Sequence, residues 1–229
     1  MAPSSPLRVL IGTYFYPRGG SAHVCRSIAR ELGARGARVK VVAGSRSDLA
    51  GEGKAADFYA GLDLHAVDFT PALDSGDPLR WSGRPGTAPM HGSYEDRPDA
   101  PDAVLASLSD ADLELHVDAW ARELAAAGRD GVDLLYLHHL TPLHAAAARA
   151  FPGVPIVTHV HGTELLMLER IRDGAPAGWA HADAWARRLR EWAATSERIL
   201  INSPRGVDRA VALLEVEPER VVQMPNGYD

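Results

Sequence analysis

Gly19, Gly20 and Ser21 stand where a short apolar run, Leu7-Arg8-Val9-Leu10-Ile11-Gly12-Thr13, gives way to a helical period. A glycine pair at such a junction leaves backbone N–H groups uncovered at the positive end of a helix dipole, so an anion such as phosphate can approach. Glycine is equally ordinary in a plain strand-to-helix turn, and on local sequence both readings stay open. Histidines form the second concentration of chemistry: His138, His139, His144, His159 and His161. His159 and His161 share one strand face at i, i+2, on a strand near His138, which is the beginning of a metal-ligand set. No H-E-x-x-H spacing accompanies them, and no cysteine or carboxylate is placed with them, so no metal is expected. His138 and His139, at a strand end, read as cleft lining. His161 alone is either a strand-end histidine bonded to backbone or a residue facing a ligand.

The elements that must position these residues alternate along the chain. After the first apolar run, Val24, Ile28 and Leu32 repeat at helical spacing behind Ser21 as a candidate N-cap, and Gly33 and Gly36 close the helix before a strand from Val39 to Val42. Leu62 to Val67 suggests a third strand. Strands at Asp133 to His138, Val154 to His161, Arg198 to Ile201 and Val221 to Met224 are separated by helical patterns, one of them opening at Ser203. This alternation predicts an α/β domain with a mostly parallel sheet and helices on both faces. Ligands of such a sheet sit beyond the carboxyl ends of its strands, on the loops after Thr13, His138, His161 and Ile201. Between Pro71 and Pro101 lie six prolines and four glycines with few periodic apolar positions, so residues 71–101 are expected to form a mobile, functional loop. Beyond it, Asp102 is a candidate cap for a helix carrying Val104, Leu105 and Leu108, and a second helix runs through Leu113, Val117, Trp120 and Leu124.

Bulk properties narrow the function. The 229 residues can bury a core unaided, and a net charge of -6 without a long basic run argues against nucleic acid as a partner. Cys25 is the only cysteine, which excludes an intrachain disulfide and fits a reducing cytoplasm. No signal-peptide pattern or membrane-spanning run is present, and a cytoplasmic location is expected. Trp185, Leu189 and Trp192 make an apolar stripe beside Arg187, Arg188 and Arg190; membrane docking is the alternative to the favoured reading, a helix packed on the sheet. A dinucleotide site is disfavoured, because Gly12-x6-Gly19-Gly20 is not G-x-G-x-x-G and Ala43-Gly44-Ser45 supplies no ribose-binding acid.

Four motifs in order resemble family-four retaining glycosyltransferases of the GT-B fold. They are Pro17-Arg18-Gly19-Gly20-Ser21 with the helix ending Ala29-Arg30-Glu31-Leu32; Pro155 to His159 followed by Val160-His161-Gly162-Thr163-Glu164; Arg198-Ile199-Leu200-Ile201-Asn202-Ser203; and Pro225-Asn226-Gly227-Tyr228-Asp229. The resemblance implies that residues 1–229 are the N-terminal, acceptor-side Rossmann-like half, that 225–229 begin the interdomain linker, and that the half binding a nucleotide diphosphate sugar is absent. Gly20, with Gly19 shaping the turn, matches the glycine whose amide meets the donor phosphate and is expected to tolerate no side chain. His161 matches the histidine against the donor sugar and takes the catalytic place. Arg18, Ser21, His138, His139, Gly162, Thr163, Glu164 and Ser203 are candidate sugar or acceptor contacts. In that family the leaving phosphate helps to deprotonate the acceptor, so no enzymic base and no cofactor are implied.

The expected function is therefore sugar transfer to a hydroxyl of a small-molecule or glycan acceptor. The isolated chain is expected to be inactive without its C-terminal partner domain, in cis or in trans. The alternative is a non-catalytic accessory or anion-binding module of the same fold.

Overall fold

A computed structural model describes residues 5–225 of the chain. Its elements in order are β1 (Arg8–Thr13), α1 (Gly20–Ala34), β2 (Arg38–Ser45), α2 (Ala55–Phe58), β3 (Leu64–Asp68), α3 (Thr70–Asp74), α4 (Asp110–Ala127), β4 (Leu134–His138), α5 (Leu143–Ala150), β5 (Ile156–Val160), α6 (Thr163–Gly174), α7 (Ala182–Thr195), β6 (Arg198–Ile201), α8 (Pro204–Leu214) and β7 (Val221–Gln223). The seven strands form one parallel sheet in the order β3-β2-β1-β4-β5-β6-β7. The chain winds outward from β1 to β3, then returns to β4 on the other side of β1. That reversal opens a crevice at the carboxyl ends of β1 and β4.

Strand alternation divides the core. Val9, Ile11, Val41 and Ala43 point to one face, where Ala22, Cys25 and Ala29 of α1 cover them. Leu10, Val42, Leu135 and Leu137 point to the other, beneath Trp120 and Leu124 of α4, Ala146 and Ala147 of α5, and Trp185 and Leu189 of α7. The tryptophan stripe of α7 is thus spent on the core, with Trp185 and Leu189 fully buried.

Three local expectations are corrected. Ser21 does not cap α1; Gly19 is the N-cap, in extended conformation and without a side-chain bond, so the Gly20 and Ser21 amides stay uncovered while that of Ala22 bonds the Gly19 carbonyl. Asp102 does not begin a helix. The expected helix over 104–108 is a single turn at Leu105–Ser107, and α4 starts instead behind Ser109, whose Oγ accepts from the Asp112 N–H at 3.2 Å. Finally, the stretch 71–101 has more anchors than its composition suggests. Ala88, Met90, His91 and Tyr94 are buried in the core, and backbone bonds tie Met90 to Pro78 and Leu105 to Ser93. Only its ends, around 74–77 and 96–99, are continuously exposed. Of the linker motif, residues 226–229 lie outside the described residues.

Candidate functional site

A cleft of about 370 Å³ opens at the β1/β4 reversal, lined among others by Tyr16, Arg18, Gly19, Gly20, Ser21, Tyr94, Arg97, His139, His161 and Thr163. One wall is the first turn of α1. It carries no acidic residue; the Ala22 N–H donates to the Gly19 carbonyl at 3.1 Å, while those of Gly20 and Ser21 have no acceptor among the described residues, so the wall favours an anion. Neither glycine has a positive φ, and a Cβ built on Gly19 or Gly20 meets nothing within 4 Å. The expectation that the backbone at Gly20 excludes side chains is therefore corrected; the space an alanine methyl would occupy is cleft.

The second wall comes from the segment 93–97, held by a buried carboxylate. Asp102, whose side chain is fully buried, receives Arg18 at 2.8 Å and Arg97 at 2.8 Å. Burial alone would push its carboxyl up, but the two guanidinium groups hold it far below the usual range. Arg18 also lies over the Tyr16 ring, 4.7 Å from its centroid. One anion thus fixes both arginines at the cleft, joining the α1 turn to the 93–97 strap.

The floor is a stack of histidines. Registered pairing of β4 with β5 places His138 beside His159, and the turn after β5 brings His161 over them, its ring 4.4 Å from that of His159. His138 Nδ1 and His161 Nε2 share a hydrogen bond of 2.9 Å. Burial first, then neighbouring histidines, push His138 and His161 well below the ordinary value, and His159 to about 4. All three are neutral at pH 7. Since Nε2 of His138 is buried without a partner, the cheaper arrangement has His138 donating from Nδ1 and leaves a bare lone pair at Nε2. His161 then accepts at Nε2 and carries its proton on Nδ1.

One ligand atom from each of His138, His159 and His161 lies within 4.8 Å of the others. Tetrahedral zinc, with Zn–N bonds of about 2.0–2.1 Å, needs its nitrogens about 3.4 Å apart. The trio also has two nitrogens spent on each other and no anionic member, so it reads as a hydrogen-bonded stack.

His139 follows β4 in left-handed conformation, with φ of 62°, a backbone state costing about 1–3 kcal/mol outside glycine. Its Nδ1 lies 2.9 Å from Oε1 of Glu164, a carboxylate with no exposure in the first turn of α6. Gly162, at φ of 97°, makes the reversal from β5 into that helix. Burial pushes the Glu164 carboxyl up, yet the charge and hydrogen bond of His139 outweigh it and the carboxyl lies below its usual value. Thr163 Oγ1 donates to Oε2 of Glu164 at 3.3 Å.

The candidate residues therefore separate. Arg18, Gly19, Gly20, Ser21, His139, His161 and Thr163 line the cleft together. His138 is fully buried behind His161 and does not line it, Glu164 stands behind His139, and Gly162 serves as helix cap. Ser203 is exposed and its Oγ caps α8 through the Gly206 N–H at 3.2 Å; its neighbour Asn202 lines the cleft instead. Sequence reasoning missed Tyr16, Ser93, Tyr94, Arg97 and Asp102, which no periodicity marks.

Solved structures share this architecture at low identity. A glycotransferase of kitacinnamycin matches with a TM-score of 0.50 and 15% identity over 99% of this chain and 53% of that one. Sucrose-phosphate synthase from Thermosynechococcus elongatus matches at 0.55 and 11%, over 97% of this chain and 49% of that one. A UDP-GlcNAc 2-epimerase from Neisseria meningitidis, bound to UDP-GlcNAc, matches at 0.53 and 14%, over 96% and 47%. The fold is thus the Rossmann-like α/β architecture of those structures, and this chain spans about half their length. The sequence model of Glycosyltransferase Family 4 matches residues 18–229, and the chain belongs to that family. No curated protein sequence matches it. Among the described residues no helix is long and apolar enough to cross a membrane.

Proposed function

We propose that this chain is the acceptor-side half of a retaining glycosyltransferase that uses a nucleotide diphosphate sugar, and that it turns over only with a donor-binding domain joined to it in cis or in trans. The observation that carries this reading is the convergence of the uncovered α1 turn and His161 on one cleft at the sheet's reversal point. The turn would take the donor's distal phosphate through backbone N–H groups. His161, neutral and with Nδ1–H available, would hydrogen-bond the sugar as positive charge grows at its anomeric carbon. The 93–97 strap would meet the acceptor.

The test supplies full-length enzyme with UDP-, GDP- and ADP-glucose and UDP-GlcNAc, follows nucleotide diphosphate release, and reads the anomeric configuration of any product by NMR. Transfer with retention is expected from the two-domain protein and not from residues 1–229 alone. Sugar transfer by residues 1–229 alone would sink the half-site reading. Donor binding without any transfer by the two-domain protein would favour an accessory, anion-binding module.

A further inference from the structure

We infer that the groove between α3 and Trp81 is a saccharide-binding site, which takes a neutral sugar unit on the indole face of Trp81 with Asp74 and Arg84 bonded to its hydroxyls. Its role rests on the transferase reading above: the occupant is a unit of an oligosaccharide acceptor other than the unit being glycosylated. The groove, about 580 Å³, opens at the carboxyl ends of β2 and β3, on the side of β1 away from β4. It is lined by Ser47 and Asp68 from the strand ends, by Asp74 and Ser75 at the end of α3, and by Trp81 and Arg84 from the segment that follows. Arg46 and Ser47 leave β2 side by side. The Arg46 guanidinium lies over the ring of the cleft residue Tyr16, 5.7 Å from its centroid, while Ser47 lines the groove, so the exit of β2 touches both depressions.

Four of the five tryptophans, Trp120, Trp179, Trp185 and Trp192, are buried in the core. Trp81 is only half-buried, and among the described residues no other aromatic ring lies against it and its Nε1 has no partner. A pyranose has a face of C–H groups and a rim of hydroxyls, so it can cover an indole and keep its polar groups at the edge. The groups around the ring suit that rim. The Asp74 carboxylate and the Arg84 guanidinium are exposed and unpaired among the described residues, and hydroxyls can donate to the one and accept from the other. Asp68 is already occupied: its oxygens accept the Ser47 hydroxyl and the N–H groups of Ser47 and Thr70. With Asp68 and Asp74 against Arg84 the groove has no excess of positive charge, which disfavours a phosphorylated or sulfated ligand.

The wall that carries the indole is set before any ligand arrives. On either side of Trp81, Arg80 pairs with Asp112 of α4 at 2.8 Å, and Arg122 of the same helix donates to the Ser82 carbonyl at 3.2 Å. Thr87 closes a turn on Arg84, its Oγ1 accepting the Arg84 N–H at 2.8 Å and donating to the Arg84 carbonyl. Gly83, at φ of 71°, lets the ring lie close to the backbone, since a Cβ there would stand 3.1 Å from Cζ3 of Trp81 and 3.0 Å from the Thr87 carbonyl oxygen. A platform already in place costs little ordering on binding, which a ligand held by one stacked face and a few hydroxyls requires.

Titration of the 15N-labelled chain at physiological salt tests this, with maltohexaose, cellohexaose, chitohexaose, mannohexaose and xylohexaose as neutral probes and a heparin hexasaccharide as the anionic one. At least one neutral hexamer should move the Trp81 indole signal, assigned by its loss in Trp81→Phe, together with amide signals near residues 74 and 84, and leave the four core indoles in place. Trp81→Ala should weaken that hexamer about tenfold or more, and Trp81→Phe, which keeps an aromatic face, by less. Asp74→Ala and Arg84→Ala should each weaken it about threefold. Both residues are exposed, so their variants decide the matter where a thermal melt shows that Trp81→Ala loosens the fold. Neutral hexamers that all leave the Trp81 indole unmoved at millimolar concentration, or a heparin hexasaccharide that moves it ahead of every one of them, overturn the site. In the two-domain enzyme the hexamer that binds should also accept sugar, and Trp81→Ala should raise its KM by the factor it loses in binding. Binding at Trp81 in an enzyme that transfers sugar to no acceptor overturns the acceptor role and the transferase reading while the saccharide site stands. Transfer of sugar by an enzyme whose Trp81 responds to no hexamer overturns the site and leaves the transferase reading intact.

Discussion

Replacing Gly20 by alanine separates the phosphate reading from the plain-turn reading, because the fold has no objection to the change. Gly20 is the first residue of α1, has no positive φ, and offers a new Cβ no protein atom within 4 Å. In a helix alanine exceeds glycine by up to about 1 kcal/mol, so stability should stay level or rise slightly. The methyl would instead stand in the space through which, on the proposed function, a phosphate oxygen reaches the Gly20 and Ser21 amides. Losing or lengthening one charge-assisted hydrogen bond costs about 1.5–3 kcal/mol, or roughly ten- to a hundredfold in donor affinity. Titration calorimetry with whichever nucleotide sugar supports transfer in the test of the proposed function, paired with a thermal melt, reads both quantities. A Gly20→Ala enzyme that binds within twofold of wild type would refute the phosphate assignment, and one that melts substantially lower would show that the glycine serves the fold.

Three further outcomes are expected. His161→Ala in the full-length enzyme should lower kcat by roughly ten- to a thousandfold with a smaller change in donor affinity, whereas His159→Ala, whose ring is fully buried, should chiefly lower the melting temperature; steady-state kinetics beside calorimetry distinguishes them. Acid should unfold the domain early, because burial pushes His116, His144 and His159 to about 4 while the unfolded chain titrates near 6.5. The stabilisation is complete above about pH 6.5 and is lost toward pH 4, by about 1.4 kcal/mol per histidine per unit in the steep range, so urea midpoints equal at pH 7.5 and 5 would contradict it. Asp102→Asn should release Arg18 and Arg97, lower stability by about 1–3 kcal/mol since both arginines can regain water, and raise hydrogen exchange across 93–102; in wild type, exchange should be fast near 74–77 and 96–99 and slow over 88–94.

The sheet was legible because its strands are short apolar runs separated by helical periods, and each observed strand falls within a residue or two of its expected bounds except β2, which runs three residues further, to Ser45. The α1 turn and His161 were legible for a related reason: motifs at strand ends carry fixed spacing to the element that presents them. The rest of the cleft was not. Arg97 and Tyr94 belong to a proline-rich stretch whose anchors, Met90 and His91, have no period, and their place depends on Asp102 pairing with Arg18 across 84 residues of sequence. Asp102 itself looked like a helix cap because capping and buried ion pairing favour the same residue type. His138 and His139 were indistinguishable as letters; a single positive φ sends one ring into the core and the other to the cleft.

Cys25, wedged on the inner face of α1 with no exposure, has its thiol pushed up to about 12 by burial. Thiol reagents attack the thiolate, so this sulfur stays silent at working pH. The chain therefore needs no cysteine-free background for labelling. A single cysteine placed at exposed Pro98, on the rim of the strap, would be its one reactive handle. A maleimide fluorophore or spin label attached there would report whether the rim moves when a nucleotide sugar is added.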